Sequence, residues 1–215
     1  MKNTTTMKDK IYNMILEDIL SHEYADQDVI NEKELVEKYG CSKTPIREAL
    51  IELCNENVLR SIPRYGYEVI RLTSDDVLNI LKYRYAVECG VVIPEIKRFH
   101  ENQLSVLSEI NERCKKSDDL WERWDLRTTF HVRMITFTGN AYAAERVEEC
   151  LRILKRAYAQ FCWNNPAPVD LSYDMEYHEG ILEALEEQDE EKLKDALKKD
   201  IYSVAVQVIS DHLPI

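Results

Sequence analysis

Apolar residues recur at Ile11, Ile15 and Ile19, with Met14 beside them, along a segment from Met7 to about His22. The four-residue spacing predicts an amphipathic helix. After the polar break EYADQD, Asn31 is placed to cap a second, short helix in NEKELVEKYG, with Leu35, Val36 and Tyr39 inward and Gly40 as its stop. A third helix begins within GCSKTPIREAL, residues 40–50, and runs to about Asn57 on the stripe Ile46, Ala49, Leu50, Leu53 and Cys54. Proline is tolerated in a first helical turn, because its missing N–H would be unpaired there anyway, and the residue before it avoids the helical region. Thr44 is therefore the expected N-cap, with Pro45 as the first helical residue; Ser42, capping an earlier turn, is the alternative. The pattern then changes. VLRSIPRYGYEVIRL sets Tyr, Val and Ile around a proline and a glycine, and predicts two short strands with a turn at Pro63–Gly66. Three helices and a small hairpin fit a winged helix-turn-helix, and the first domain is expected over residues 1–71.

From Leu72 onward the periodicity is helical almost throughout. Ser74 or Thr73 can cap a helix running to about Phe99 on Val77, Ile80, Leu81, Tyr85 and Val92, with Pro94 as a bend or break. Further helices are expected near 101–116, 118–138, 141–163, 172–187 and 189–210, separated most clearly at Gly139-Asn140 and at the Asn-Pro-Ala-Pro run of 165–168. The fold class is mostly α: a winged helix-turn-helix followed by an all-helical bundle of about six helices over residues 72–215.

Composition narrows the function classes. Only five glycines and six prolines argue against an all-β sandwich. A net charge of −12 argues against loose, unspecific binding to a polyanion. Only from Lys38 to Arg71 does the sign reverse, with six basic against four acidic side chains, so any contact with nucleic acid falls to a local patch. The six cysteines, Cys41, Cys54, Cys89, Cys114, Cys150 and Cys162, form no CxxC pair, and are expected to be reduced and mostly buried. The N-terminus shows no signal pattern and no apolar run approaches membrane-spanning length, so a cytoplasmic location and no membrane partner are expected.

The basic patch has a chemical logic. Ser42, Lys43, Thr44 and Arg47 cluster at a helix N-terminus, whose amides and dipole favour phosphate. Arg47 can make a bidentate contact to guanine, and Lys43 can meet a base edge or a phosphate. The N-terminal part of a recognition helix enters the major groove. The hairpin adds Arg60, Arg64, Tyr65 and Gly66, and Lys33 can touch the DNA backbone. An ordinary solvated face is the competing reading of these charges. It weakens because a glycine-stopped short helix, a Ser/Lys/Thr tip, an apolar stripe and a basic hairpin occur in that order.

NEKELVEKYGCSKTPIREALIELCNENVL with IPRYGYEVI resembles the winged helix-turn-helix of GntR-family bacterial regulators. The resemblance implies DNA-contacting positions at Lys33, Ser42, Lys43, Thr44, Arg47, Arg64 and Gly66. Lys43 stands where arginine is more usual, and lysine lacks the planar fork. LTSDDVLNILKYRYAVE, FHVRMITFTGN and YHEGILEALEEQDEEKLKDALKKDI resemble the FCD effector domain of the FadR-type branch. That implies a helical bundle around a pocket for a small carboxylate, often with a divalent metal such as zinc, nickel or manganese.

The metal set that the resemblance implies is one aspartate and three histidines. His131 and His178 match two positions. The aspartate position, four residues before His131, is Arg127, and the last histidine position is Asp200. Three readings follow: a three-ligand metal site from His131, His178 and Asp200; an Arg127–Asp200 ion pair in place of the metal; or Arg127 holding an effector carboxylate. The metal-free readings are preferred. Arg84, Arg127, His131, Asn140 and His178 are the candidate effector contacts, with Tyr83, Trp121, Trp124, Trp163 and Tyr173 as lesser ones whose ordinary role is core packing. For Arg84 the competing role is a structural salt bridge.

The expected function is a ligand-responsive transcription regulator, more often a repressor in this family, that binds a palindromic operator in double-stranded DNA as a homodimer. A metal-dependent enzyme built on His131, His178 and Asp200 is the alternative from another class, and it leaves the N-terminal domain unexplained. A partner-binding helical protein without DNA affinity is the third.

Overall fold

The structure, a computed structural model, describes residues 6–25, 27–163 and 173–209, with side chains throughout except at 162–163, 173–176, 204 and 206–209. The chain divides into two compact units, Met1–Leu72 with Ala159–Asn165 and Thr73–Tyr158 with Pro166–Ile215.

In the first unit, α1 spans Met7–Leu20 and buries Ile11, Ile15 and Ile19. Thr6 and Asp9 form a reciprocal capping box at its start. A two-residue strand, β1 (Val29–Ile30), precedes α2 (Glu32–Tyr39). Asn31 caps α2 by accepting the Lys33 N–H at 2.9 Å. Gly40 stops it at φ 63°, a left-handed conformation that favours glycine. The third helix, α3, spans Lys43–Asn55, and its Ile46, Ala49, Leu50 and Leu53 are buried in the same core as the α1 isoleucines and Leu35.

Two expectations change here. Ser42, not Thr44, is the N-cap of α3, which makes Pro45 the third helical residue. The proline still lies among the first residues, whose N–H groups have no intrahelical acceptor, so its position is tolerated all the same. The hairpin β2 (Leu59–Ile62) and β3 (Gly66–Val69) forms as expected, but β3 also pairs with β1, in the antiparallel order β1-β3-β2. Ile30 faces Tyr67 across that extra rung. A strand of two residues is too short to leave a periodic signal.

In the second unit, Thr73 caps α4 (Ser74–Val92) with a capping box to Asp76. The chain tightens into a 3-10 turn at Ile93–Arg98 instead of continuing helically to Phe99. Pro94 is the cause, since it removes one i to i−4 bond and crowds the preceding turn. Then come α5 (Glu101–Lys116), α6 (Leu120–Phe137), α7 (Ala141–Trp163), whose residues from Ala159 onward count with the first unit, α8 (Tyr173–Glu187) and α9 (Glu190–Ile209). Helix α9 packs on α4 and α8, and α5 on α6 and α8. The expected break at 165–168 lies outside the described residues. Fewer thiols are buried than expected: Cys114 and Cys150 are buried, whereas Cys41, Cys54 and Cys89 are half-buried, and none of the five forms a disulfide among the described residues. The Cys162 side chain lies outside the described residues. Among the described residues no helix is long and apolar enough to cross a membrane.

Candidate functional site

The first unit presents its basic residues on the start of α3 and on the hairpin. Ser42, Lys43, Thr44 and Arg47 are exposed there, and the Ser42 side chain makes no capping bond. At the hairpin tip the Tyr65 N–H donates to the Ile62 carbonyl at 3.1 Å, and Arg64 has φ 72°. With Pro63 between them, this matches a type II turn, in which proline presets the first central residue and the second takes a left-handed conformation. An arginine holds the place that usually falls to glycine. The turn thereby aims a charged side chain outward at a local conformational cost. Gly66 has a reason inside the fold: at φ 143°, a Cβ there would lie 2.5 Å from the Ile30 carbonyl oxygen. Lys33 is exposed and 3.9 Å from Glu37, and Arg60 pairs across the hairpin with Glu68.

Arg47 is held. Its Nε donates to Glu32 Oε1 at 3.1 Å and its Nη2 to Glu32 Oε2 at 2.9 Å. The Tyr67 hydroxyl, on β3, donates to the same Oε1 at 3.2 Å. The Arg47 fork beside it keeps the Glu32 carboxyl below its ordinary pKa, and the carboxylate in turn raises that of Arg47.

In the second unit, four helices bring charged groups together inside the bundle. Arg84 and Glu88 come from α4, Arg127 and His131 from α6, His178 from α8 and Asp200 from α9, and all are buried. Arg84 bonds Glu88 through Nε, one helical turn along, and its Nη2 lies 3.6 Å from Asp200 Oδ2. Arg127 Nη2 lies 3.3 Å from Asp200 Oδ1 and 3.5 Å from the Ser203 hydroxyl. His131 sits between two carboxylates, Nδ1 at 2.7 Å from Glu88 Oε2 and Nε2 at 2.9 Å from Asp200 Oδ2. His178 Nδ1 is 3.2 Å from Asn111 Oδ1, and its Nε2 is 3.5 Å from Asp200 Oδ1. Phe130 stacks on the His178 ring at 4.1 Å.

Protonation follows from these neighbours. Burial and Arg84 push His131 down, but Glu88 and Asp200 outweigh them and raise its pKa, which favours the imidazolium. Burial drives His178 well below the ordinary histidine range, so it is neutral. Burial alone would raise Glu88 and Asp200; cations prevail at both, Arg84 and His131 at Glu88, and His131 and Arg127 at Asp200, so both stay ionised. Four atoms nevertheless lack an aligned hydrogen-bond partner: Arg84 Nη2, His131 Nε2, His178 Nε2 and Asp200 Oδ2.

His131, His178 and Asp200 offer three donor atoms within 4.8 Å of one another, the spacing of a metal-ligand set. The charges around them do not fit a divalent cation. Asp200 already faces two guanidinium groups, so a cation would join two positive partners on one carboxylate. Arg127 and Asp200, at the two positions where the implied ligands differ, are paired with each other instead.

Asn140 is not brought to this cluster by any hydrogen bond among the described residues; it is exposed, and its side-chain oxygen accepts the Ala143 N–H at 3.0 Å near the start of α7. Trp121 and Trp124 pack on Tyr158, and Tyr83 is 48% exposed. The side chains of Trp163 and Tyr173 lie outside the described residues. Glu88 and Glu32 lie inside segments that carry the resemblance but have no role assigned by it, and Asn111 and Ser203 lie in no such segment. Only Glu88 had a legible signal, its four-residue spacing from Arg84.

Known proteins share both halves of this layout. Residues 7–69 match the model of "Bacterial regulatory proteins, gntR family", and residues 79–202 match that of the FCD domain. The chain is 24% identical to the HTH-type transcriptional repressor RspR of Escherichia coli K12 over 95% of its own length and 90% of that protein's. It is 24% identical to the transcriptional repressor GlaR of the same organism over 71% of each chain. The solved structure of E. coli McbR/YncC superposes with a TM-score of 0.78 at 19% identity, covering 96% of this chain and 98% of that one, which shows a shared fold. The two matches follow one another along the chain, the regulator model over the winged helix-turn-helix and the FCD model over the helical domain. The chain belongs to the GntR family of bacterial transcriptional regulators, with an FCD domain as its helical half.

Proposed function

We propose that the chain is a homodimeric repressor whose two heads read the half-sites of a palindromic operator, and whose helical domain binds a small carboxylate without a metal. In the head, Lys43, Thr44 and Arg47 enter the major groove, while Ser42, Lys33, Arg64 and the backbone at Gly66 hold phosphates. The observation that carries the effector reading is the convergence of two buried arginines, two imidazoles and two carboxylates with four atoms lacking aligned partners. A carboxylate bearing a hydroxyl or amine would meet Arg84 and Arg127 with its anion and Asp200 with its donor. Binding shifts the placement of the heads only by the difference in its affinity for the two arrangements.

The experiment is a thermal-shift screen of small carboxylates, followed by gel mobility shifts on the promoter of the protein's own operon. An effector raises the midpoint of the wild type, and of Arg127→Lys much less, and it weakens operator binding. A folded dimer that fails to bind that DNA at low salt would sink the regulator reading.

A further inference from the structure

An ion pair as exposed as Arg47–Glu32, with side chains 60% and 23% accessible, contributes little to stability. Its geometry points elsewhere. Arginine has five N–H donors in a planar fork, and Glu32 engages the side formed by Nε and Nη2. The terminal side, made of Nη1 and the second Nη2 hydrogen, meets no acceptor among the described residues. That edge suits a bidentate approach to guanine O6 and N7. The Tyr67 hydroxyl fixes the carboxylate from the wing strand, and the Ile30–Tyr67 rung sets Tyr67 next to the start of α2. Helix α2, helix α3 and the wing thus meet on one carboxylate.

We propose that Glu32 is a positioning residue for base reading, presenting the guanidinium of Arg47 to the major groove in a fixed plane, with Tyr67 as its anchor. Preorganisation is the gain: an unheld arginine must lose rotamer freedom on binding, and a held one has already lost it. Glu32 also brings a negative charge close to DNA phosphates, so it disfavours sequence-independent binding while favouring the right base pair. A negative charge beside a reading arginine weakens contact with any phosphate that takes the place of the base.

The inference rests on Arg47 as a base-reading residue, and the experiment separates the two. The probe is a duplex enriched by the wild-type dimer from a random-sequence pool, with each base pair of a half-site then substituted in turn. Arg47→Ala, Glu32→Gln, Tyr67→Phe and the double variant Glu32→Gln/Arg47→Ala are titrated against this set and against a random duplex, with thermal unfolding recorded for each. Arg47→Ala is expected to lose discrimination at one base pair by about 5- to 100-fold. Glu32→Gln should lose most of that discrimination at the same pair, keep it elsewhere, and bind the random duplex as well as or better than wild type. Tyr67→Phe should fall between, and the double variant should be no worse than Arg47→Ala. A merely structural role would lower specific and random binding together and shift the unfolding midpoint. That outcome overturns the proposal, as does a Glu32→Gln protein that keeps its preference where Arg47→Ala has lost it. If Arg47→Ala keeps the preference at every position, the reading of Arg47 falls and the role of Glu32 falls with it.

Discussion

Arg47 and Arg84 each bond a glutamate through Nε, and the surroundings make them different devices. Arg47 meets Glu32 at the surface, where water and salt screen the pair and a new partner can displace either group. Arg84 meets Glu88 inside the bundle, where no water replaces a lost partner and Asp200, Arg127 and His131 depend on the same balance. The exposed pair is suited to orientation and exchange. The buried set is suited to holding four helices in one arrangement until a ligand of the right charge competes for it.

The largest break in that contrast comes from Asp200→Ala, which leaves Arg84, Arg127 and His131 without their shared anion. Denaturant unfolding should show a loss of about 3–5 kcal/mol. The matching removal of charge in the head, Glu32→Gln, should leave the unfolding midpoint unmoved; equal losses would erase the distinction. A smaller effect comes from pH. His178 is neutral in the fold, so the unfolded chain takes up its proton first as pH falls below the ordinary 6.5, and stability present above that value is lost. His131 runs the other way: its raised pKa contributes stability below 6.5 that is lost as pH climbs through the folded value. Asp200 and Glu88, both held low, lose their contribution only as pH falls from about their ordinary 3.8 and 4.5. Unfolding midpoints measured from alkaline to acid pH should peak near neutrality, and His178→Gln should flatten the first part of the acid limb. The smallest expected effect is none: protein purified without chelators should carry no stoichiometric metal, and EDTA should not move its midpoint. A tightly bound metal that disappears when His131→Ala and His178→Ala are combined would restore the three-ligand reading.

The head was legible in residue order because its signals are local: Asn31 before α2, Gly40 after it, the Pro63 turn, and the stripe from Ile46 to Leu53. What escaped was either too short or too distant in sequence. Strand β1 has two residues, and Glu32 reaches Arg47 across fifteen positions. In the bundle, the Arg127–Asp200 pairing was one of three arrangements open from sequence, since periodicity places each residue on a face but not the faces against one another. His178 and Asn111 meet across 67 positions, and no spacing rule covers that. The helix running to Phe99 fails at Pro94 because propensity could mark a break there without saying where the helix would end.

The pairing of Arg127 with Asp200 also bears on how such a cluster can change over evolutionary time. Arg127→Asp alone would set a second carboxylate against Asp200, and Asp200→His alone would take from Arg127 the carboxylate it is paired with. Together they would restore one aspartate and three histidines. Each step is harmful without the other, so the two sites are bound by epistasis, and a lineage that crosses between ion pair and metal set must pass through a poorly folded intermediate or change both residues at once.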